Sequence, residues 1–272
     1  MEKSVKRTFA AILAAVVVLV GTCLASCAGS VVNNNKKVRG ETVKQSRLEY
    51  FKAVVSTGVY DVYFTQCDHS YIRIVSSEAN DADVENIKAS VVDGVLRISA
   101  KGGDFNVFKR NKSKEIKIYI GSPDLVGVNM AGSGDFVVLN ALDTDTLRVS
   151  QSGVGDMKFD KPLVCDRLEL NARGTGDAEL KQATAASAAF ELYGVGDIEA
   201  NLANAAHTDV LLKGTGDVDI NFTNCGTASA TLYGVGDIEL KGSLRSLTKK
   251  KYGTGDIDCS ELHVLGNAAT AK

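Results

Sequence analysis

Seven aspartates that recur at a near-constant spacing are the residues of this sequence best suited to chemistry. Each closes a Gly-x-Gly-Asp tetrapeptide, and successive copies begin 19 to 21 residues apart. The seven are Asp135, Asp156, Asp177, Asp197, Asp217, Asp237 and Asp256. A regular array of carboxylates can bind Ca²⁺, and two carboxylates about 5 Å apart have the geometry of a retaining glycosidase. The aspartates can also be structural, because an Asp side chain accepts hydrogen bonds from backbone N–H groups.

Such an array needs compensation for its own repulsion. Two carboxylates 5 Å apart repel by about 0.8 kcal/mol in water, so six neighbouring pairs cost on the order of 5 kcal/mol. That is comparable with the whole stability of a domain. A second acidic column, two residues further on, consists of Glu179, Glu199, Asp219, Glu239 and Asp258. We expect backbone hydrogen bonds at each aspartate's own corner as the compensation, with Ca²⁺ between coils as the alternative.

The residues on both sides of each motif must form strands, because apolar residues alternate there with period two. The first and third positions after each Asp are apolar, as are most of the second and fourth positions before each motif. One such unit cannot bury its apolar face alone, whereas units stacked about 4.8 Å apart close a continuous core. Glycine suits the sharp corner between the two strands. The sequence therefore predicts an all-β solenoid with about 20 residues per coil.

A row of large polar side chains comes directly before the motifs. Its members are Arg173, Tyr193, Lys213, Tyr233 and Tyr252. The residue between the two glycines alternates between Val and Thr over the same coils. Stacked outward, the row permits cation–π contacts between neighbouring coils. We interpret it as a binding stripe for a sugar or protein ligand, since exposed aromatic residues with polar tips suit such interfaces. The alternative is ordinary solvated strand decoration.

The beginning of the chain has the pattern of a bacterial lipoprotein signal. Basic residues precede an apolar run from Phe9 to Val20, which is too short to span a bilayer. Leu24-Ala25-Ser26-Cys27 then resembles a lipobox, in which the Cys27 thiol accepts the lipid. We predict five segments, which are a signal peptide (1–26), a flexible tether (27–46), an N-terminal β portion (47–125), the repeat coils (126–262) and a C-terminal tail (263–272). In the last coil, Lys249–Lys251 predict a charged cap.

Composition and residue spacing argue against several classes of function. The net charge is −2 and no basic cluster stands out, which disfavours nucleic-acid binding. A catalytic acid pair needs two different environments, whereas these aspartates recur in near-identical surroundings. The histidines His69, His207 and His263 are scattered without an evident partner, and no zinc-ligand spacing occurs. We therefore expect no catalytic residues and no cofactor. Calcium bound between the coils is the alternative.

The chain resembles the DUF2807 family, described as a putative auto-transporter adhesin head or GIN domain. The resemblance rests on Phe51–Val54, Ile116–Ile120 and Pro123–Leu125, followed by the repeated motif. The family's repeat is usually Ser-Gly-Ser-Gly-Asp, whereas this chain has Val or Thr between the glycines and Tyr, Arg or Lys before them. The resemblance implies a right-handed, single-stranded β-helix. It also implies a lipoprotein of the Bacteroidetes type, located at the cell envelope.

Together these patterns predict a non-catalytic, lipid-anchored envelope module, an adhesin or ligand-binding domain with a repetitive acidic and aromatic face. The expected partners are the membrane, through the lipid, and a glycan or protein ligand. We expect an outer-membrane lipoprotein on the periplasmic face or the cell surface. A polysaccharide-acting β-helix enzyme and a structural envelope spacer are the two alternatives.

Overall fold

Alternating side chains form strands throughout the computed structural model, which describes residues 34–38, 41–77, 84–100, 116–266 and 269–270. The expected signal peptide and Cys27 lie outside these residues. The strands before the repeat are β1 Asn34–Val38, β2 Glu41–Arg47, β3 Ala53–Ser56, β4 Asp61–Gln66, β5 Tyr71–Ser77, β6 Ile87–Val92, β7 Val95–Ala100 and β8 Ile116–Ser122. No described residue belongs to a helix long and apolar enough to cross a membrane.

The repeat coils contribute the remaining strands. They are β9 Gly127–Met130, β10 Phe136–Val138, β11 Leu142–Asp143, β12 Thr146–Gln151, β13 Met157–Phe159, β14 Leu163–Ala172, β15 Ala178–Leu192, β16 Ile198–Ala203, β17 His207–Leu212, β18 Val218–Leu232, β19 Ile238–Lys251, β20 Ile257–Asp258, β21 Leu262–Val264 and β22 Ala269–Thr270. From β9 to β19 each strand pairs in parallel with the equivalent strand one coil later. The predicted β-solenoid with a coil of about 20 residues is confirmed.

The core consists of the inward columns that the alternation predicts. The first residue after each motif is buried from Phe136 to Ile238, and so is the third from Val138 to Leu240. Toward the last coil the equivalent residues Ile257 and Cys259 are only partly buried. The columns before the motif are buried as well, including the polar Gln151. Apolar burial along every coil is therefore what makes each unit depend on its neighbours.

Between successive corners the chain is largely strand. β15, β18 and β19 each run on from one corner toward the next, with register shifts where the chain bends. Cys165 and Cys225 lie buried inside β14 and β18. Cys67 and Cys259 are partly buried, and all four are free thiols. A third line of parallel pairing thus closes the coil on the side opposite the corners.

The N-terminal portion extends both faces of the solenoid in an order that differs from the chain order. On one face β3 lies between β7 and β9, and on the other β4 lies between β8 and β10. Antiparallel strands then finish each face, with β6 beside β7 and with β5, β2 and β1 following β8. An Asp93-Gly94 turn joins β6 to β7 with positive φ at both residues.

Two predicted boundaries need correction. Most of the expected tether is a β-hairpin, because β1 pairs with β2, and β2 continues the sheet beside β5 through Val43↔Val75. The expected C-terminal tail contains β21 and β22, which pair with β19. Leu262 and Val264 pack partly buried against the core. Both ends of the described part of the chain therefore extend the sheet further than predicted, since an open sheet edge offers unpaired backbone groups.

The lysines of the last coil lie where the sequence predicted a cap. Lys249 and Lys251 continue the inward columns of Ala230 and Leu232 in β19. Lys249 Nζ donates to Ile257 O at 3.3 Å, and Lys251 Nζ lies 2.6 Å from Asp256 Oδ1. Charged side chains thus replace apolar ones where no further repeat coil covers the core.

Candidate binding groove

The corners stack directly over one another, and each glycine of the motif has a different task. An isolated parallel bridge links the middle residues of successive corners from Val59 to Thr254. A Cβ on the first glycine would strike the backbone of the preceding corner, as at Gly194, where it would lie 2.0 Å from Gly174 O. The second glycine, such as Gly196, has φ +134 and the same close approach. At the first position glycine is required because any side chain would clash with the preceding corner. At the second position the positive φ is an additional reason for glycine.

The first corner in the stack is Gly58-Val59-Tyr60-Asp61, which has tyrosine in place of the second glycine. Val59 bridges to Ser133, and Asp61 Oδ1 accepts the Asp135 N–H at 3.0 Å. The buried Tyr60 ring fills the space that a Cβ on Gly58 would occupy. In every later corner that space holds the carbonyl of the preceding corner. Tyr60 therefore caps the corner stack at its N-terminal end.

The seven motif aspartates form a single hydrogen-bonded ladder. In each corner from Asp135 to Asp237 the Asp Oδ1 accepts the backbone N–H of the next aspartate in the stack. After Asp135, the donors are Asp156 at 2.9 Å, Asp177 at 3.1 Å, Asp197 at 2.9 Å, Asp217 at 2.8 Å, Asp237 at 2.7 Å and Asp256 at 2.6 Å. Each carboxylate oxygen thus stands in for a backbone carbonyl at a position where the ladder of ordinary bonds is interrupted.

This ladder corrects the partner that we expected for each aspartate. The compensation is a backbone N–H, as predicted, but it comes from the neighbouring coil rather than from the aspartate's own corner. Charge-assisted bonds of this kind offset the repulsion within the column. Among the described residues no group of three or more His, Cys, Asp or Glu side chains is arranged to hold a metal ion. Calcium between the coils stays an untested alternative.

Lysines neutralise parts of the acidic face beside the ladder. Lys158 Nζ lies 2.8 Å from Asp156 Oδ2 and 3.6 Å from Asp135 Oδ2. The Lys158 hydrogen bond lowers the pKa of Asp156. In the second column Lys181 contacts Glu179, and Lys241 contacts Glu239. No described lysine or arginine forms an ion pair with Asp219, and burial, followed by the nearby Glu239, raises the pKa of its carboxyl.

The predicted row before the motifs makes the contacts that its composition suggested. Arg173 Cζ lies 4.6 Å from the centroid of the Tyr193 ring, and Lys213 Nζ lies 5.9 Å from the same centroid. The Tyr233 and Tyr252 rings stack with centroids 4.7 Å apart and planes inclined by 10°. Arg173 Nε also donates to Asn171 Oδ1 at 2.7 Å. The row is therefore an ordered ladder of planar and cationic groups.

An open groove of about 780 Å³ follows this row along the solenoid. Its floor is the first glycine of five successive motifs, from Gly153 to Gly234. One wall is the row from Arg173 to Tyr233, and the other is the alternating Val and Thr residues from Val154 to Val235. Glycines make the floor low because they have no side chain, while the residues on both sides of them project.

The exposed valines are the part of this groove that sequence reasoning missed as a site. Val154, Val195 and Val235 expose 57%, 54% and 54% of their surface. Their alternation with Thr was visible in the sequence, but an alternating pattern alone does not show that valine faces solvent. Exposed branched side chains at every second coil place apolar surface beside the aromatic row.

His207, for which the sequence showed no partner, lies between two polar side chains. Its Nδ1 is 2.9 Å from Thr227 Oγ1, and its Nε2 is 3.1 Å from Asp209 Oδ2. The arrangement has the order of a hydroxyl–imidazole–carboxylate triad. However, the His207 and Asp209 side chains are 55% and 59% exposed, and the groove is lined by other residues. The contact therefore has the geometry of a surface hydrogen-bond network.

Comparison with known proteins identifies relatives of this fold. The model of the DUF2807 family, described as "putative auto-transporter adhesin, head GIN domain", matches residues 50–243. A solved structure named as a putative adhesin from Bacteroides fragilis is 32% identical, with a TM-score of 0.69 over 81% of this chain and 98% of that one. No curated protein matches the chain.

Two structures from Parabacteroides distasonis share the fold at lower identity. One, named as a putative adhesin, is 16% identical with a TM-score of 0.58, covering 85% of this chain and 95% of that one. The other, named as a putative lipid binding protein, is 15% identical with a TM-score of 0.55, covering 86% and 98%. At this level of identity the likeness concerns the fold alone.

Proposed function

Because this chain belongs to the DUF2807 family of putative auto-transporter adhesins, we propose that it is a non-catalytic ligand-binding module of the bacterial cell envelope. The observation that carries the proposal is the open groove, with its ordered row of Arg, Tyr and Lys side chains and its exposed valines. Aromatic residues and arginine are enriched at binding surfaces, where their large faces lose little entropy on contact.

The acidic ladder supports a binding module over an enzyme. From Asp135 to Asp237, each motif aspartate accepts the backbone N–H of the next corner's aspartate in the same way. A retaining glycosidase needs one carboxylate held protonated and another ionised, which requires two different surroundings. The uniform ladder offers no such pair. We therefore assign the aspartates to holding the stack together and the groove to contact with the ligand.

The binding role is tested on an array of glycans and extracellular matrix proteins. Replacing Tyr193 and Tyr233 with Ala removes two rings from the groove, and we expect a loss of binding of about tenfold or more. The matched control replaces Tyr63 and Tyr119, a stacked pair in β4 and β8 with ring centroids 5.0 Å apart. Equal binding by the groove variant, the control and the wild type would overturn the proposal.

Catalysis is tested on the same glycans. We expect no change in their length after prolonged incubation with the wild-type protein. Release of reducing ends that stops when a single aspartate, such as Asp197, becomes Asn would contradict the non-catalytic assignment. Loss through one aspartate only would point to an acid pair that the uniform ladder does not suggest.

The lipid anchor is proposed from Cys27 and the preceding lipobox-like residues. Cells grown with an alkyne-tagged fatty acid should label the wild-type protein and leave the Cys27→Ala variant unlabelled. Wild-type protein without label would refute the anchor while leaving the binding proposal intact. Protease treatment of intact cells then distinguishes the surface from the periplasmic face of the outer membrane, the two locations expected for such an anchor.

A further inference from the structure

The groove repeats every second coil rather than every coil. Coils with a cation before the motif have Thr between the glycines, as in Arg173/Thr175 and Lys213/Thr215. The coil between them and the coil directly after Lys213 have Tyr followed by Val, in Tyr193/Val195 and Tyr233/Val235, and the segments 193–199 and 233–239 are identical in sequence. One full period of the groove therefore spans two coils, or about 9.6 Å.

Among the described residues, no carboxylate forms an ion pair with either cation of the groove. Arg173 hydrogen-bonds the Asn171 amide and contacts the Tyr193 ring, and Lys213 contacts the same ring. No ion pair to either side chain occurs among the described residues, and the described lining of the groove contains no Asp or Glu. In a chain of net charge −2, these two points are where an anion is attracted without displacing an existing partner.

The backbone of the groove floor offers no pairing to a peptide. Gly194 N–H donates to Ala172 O, Val195 N–H to Gly174 O and Gly196 N–H to Thr215 O, at 2.9 to 3.1 Å. A peptide that binds as an added strand needs free backbone donors and acceptors. Because the coils already use these groups, a ligand in the groove contacts side chains alone. Hydroxyl tips, ring edges and valine methyl groups suit the alternating polar and apolar surface of a sugar chain.

We propose, building on the binding function above, that this groove holds a linear acidic polysaccharide with one negative charge on every second sugar. Two sugar rings in an extended chain are comparable in length to two coils of the solenoid. A carboxylate or sulfate would then meet Arg173 and, one period later, Lys213, while the uncharged sugars lie beside Tyr193/Val195 and Tyr233/Val235. The regular coil spacing lets one strand of the polymer keep this register along the groove.

The first experiment compares three oligosaccharides of equal length by calorimetry with the full-length protein purified in detergent. Hyaluronan fragments have one carboxylate per disaccharide, oligogalacturonate has one on each sugar, and cello-oligosaccharide has none. We expect hyaluronan to bind most tightly and the neutral chain to bind most weakly. Replacing Arg173 and Lys213 with Gln should weaken hyaluronan binding about 10- to 100-fold, the range for lost charged hydrogen bonds. Equal affinity for the neutral chain would overturn the proposal.

The second experiment tests the two-coil period with an exchange that keeps composition and net charge. Tyr193→Lys combined with Lys213→Tyr puts the two cations on adjacent coils, in a stack that tolerates either residue at this column. We expect hyaluronan affinity to fall about tenfold or more, and the preference over oligogalacturonate to decrease. If the exchanged variant binds hyaluronan as tightly as the wild type does, binding does not depend on the two-coil spacing of the cations and the proposal is wrong.

The outcomes also separate this inference from the broader proposal. Groove-dependent binding of a matrix protein or a neutral glycan, without binding of the acidic chains, would refute the acidic-polysaccharide assignment and keep the binding function. If no ligand is found whose binding depends on Tyr193 and Tyr233, both the acidic-polysaccharide assignment and the binding function are refuted.

Discussion

Two regions of this protein form the same sheet faces in different ways. Within residues 126–262 each corner from the second motif onward lies on the one formed about 20 residues earlier, so neighbours in space are neighbours in the repeat. In residues 47–125 the partners come from distant parts of the chain, as when Asp135 N–H donates to Asp61, 74 residues away. There β7 and β8 flank β3 and β4, although they follow them in sequence.

The difference shows that a repeated corner and an end of the stack need different residues. A corner inside the stack has backbone on both sides and admits glycine alone at two positions. The first corner has Tyr60 in one of them, because no further corner covers Gly58. Antiparallel strands then complete the faces beyond it. The repeat thus ends in a different sequence and strand order where the edge of the solenoid would otherwise be exposed.

The largest expected effect comes from a methyl group added inside the corner stack. In Gly194→Ala the new Cβ would lie 2.0 Å from Gly174 O, a contact that only a backbone shift can relieve. We expect the free energy of unfolding to fall by about 4 kcal/mol or more. Gly94→Ala in the β6–β7 turn is the control, since its φ is +72 but its Cβ meets nothing within 4 Å. It should cost about 1–2 kcal/mol.

Urea unfolding measures both losses of stability. Circular dichroism is the signal to follow, because the chain has no Trp whose fluorescence could report unfolding. If the two variants lose equal stability, conformational strain explains both glycines and close packing of corners is not the distinguishing feature of the repeat.

The next largest effect comes from making the first corner resemble the others. Tyr60→Gly restores the repeat motif Gly-Val-Gly-Asp, yet it removes a buried ring that is 3% exposed. We expect a loss of about 3–5 kcal/mol, as for other buried aromatic residues replaced by small ones. Tyr60→Phe keeps the ring and should stay within about 1 kcal/mol of the wild type. Thermal melts compare the three proteins, and an unchanged Tyr60→Gly melt would remove the capping role of the ring.

A smaller effect separates hydrogen bonding from charge in the aspartate ladder. Asp197→Ala leaves the Asp217 N–H without its 2.8 Å acceptor and should cost about 1 kcal/mol. Asp197→Asn keeps an Oδ1 acceptor and removes repulsion from the aspartates on both sides, so stability should hold or rise slightly. Asp61→Asn at the first corner has one such neighbour and should gain about half as much. Chemical unfolding at low salt resolves these differences, and a loss in Asp197→Asn equal to that in Asp197→Ala would show that the charge itself is required.

The smallest effect is a pH dependence. Lys158 lowers the pKa of Asp156, so their interaction stabilises the fold above the unfolded Asp value near 4 and is lost as pH falls through the lowered folded value. Lys158→Met should therefore cost about 0.5 kcal/mol at pH 7 and nothing near pH 2. Lys88→Met in β6, an exposed lysine with no ion pair to a described carboxylate, is the N-terminal control.

Asp219 should show the opposite dependence. Burial and Glu239 raise its pKa, so its ionised form destabilises the fold at neutral pH, and the penalty disappears as pH falls through the raised value. Asp219→Asn should therefore gain a few tenths of a kcal/mol at pH 7. Melts at pH 2, 4, 5 and 7 test both signs, and parallel curves for wild type and variants would refute the assigned causes.

Much of the candidate site was predictable, because its residues repeat with the coil. The sequence placed Arg173, Tyr193 and Lys213 in one outward row, and the structure brings them into contact. The groove itself was not predictable in the same way. Its volume arises because glycine backbones of adjacent coils lie at the bottom, and its apolar wall is visible only when Val195 and its equivalents are seen to be exposed.

The sequence by itself determined the repeat coil, since alternating apolar residues and the two glycines act within about 20 residues and recur seven times. Only the tertiary structure decided the partner of each aspartate, because the N–H that Asp197 accepts belongs to the next coil. The same holds for the order of β7, β3 and β9 and for the strands in the predicted tether and tail. These features depend on which distant backbone reaches an open edge, and no local pattern encodes that choice.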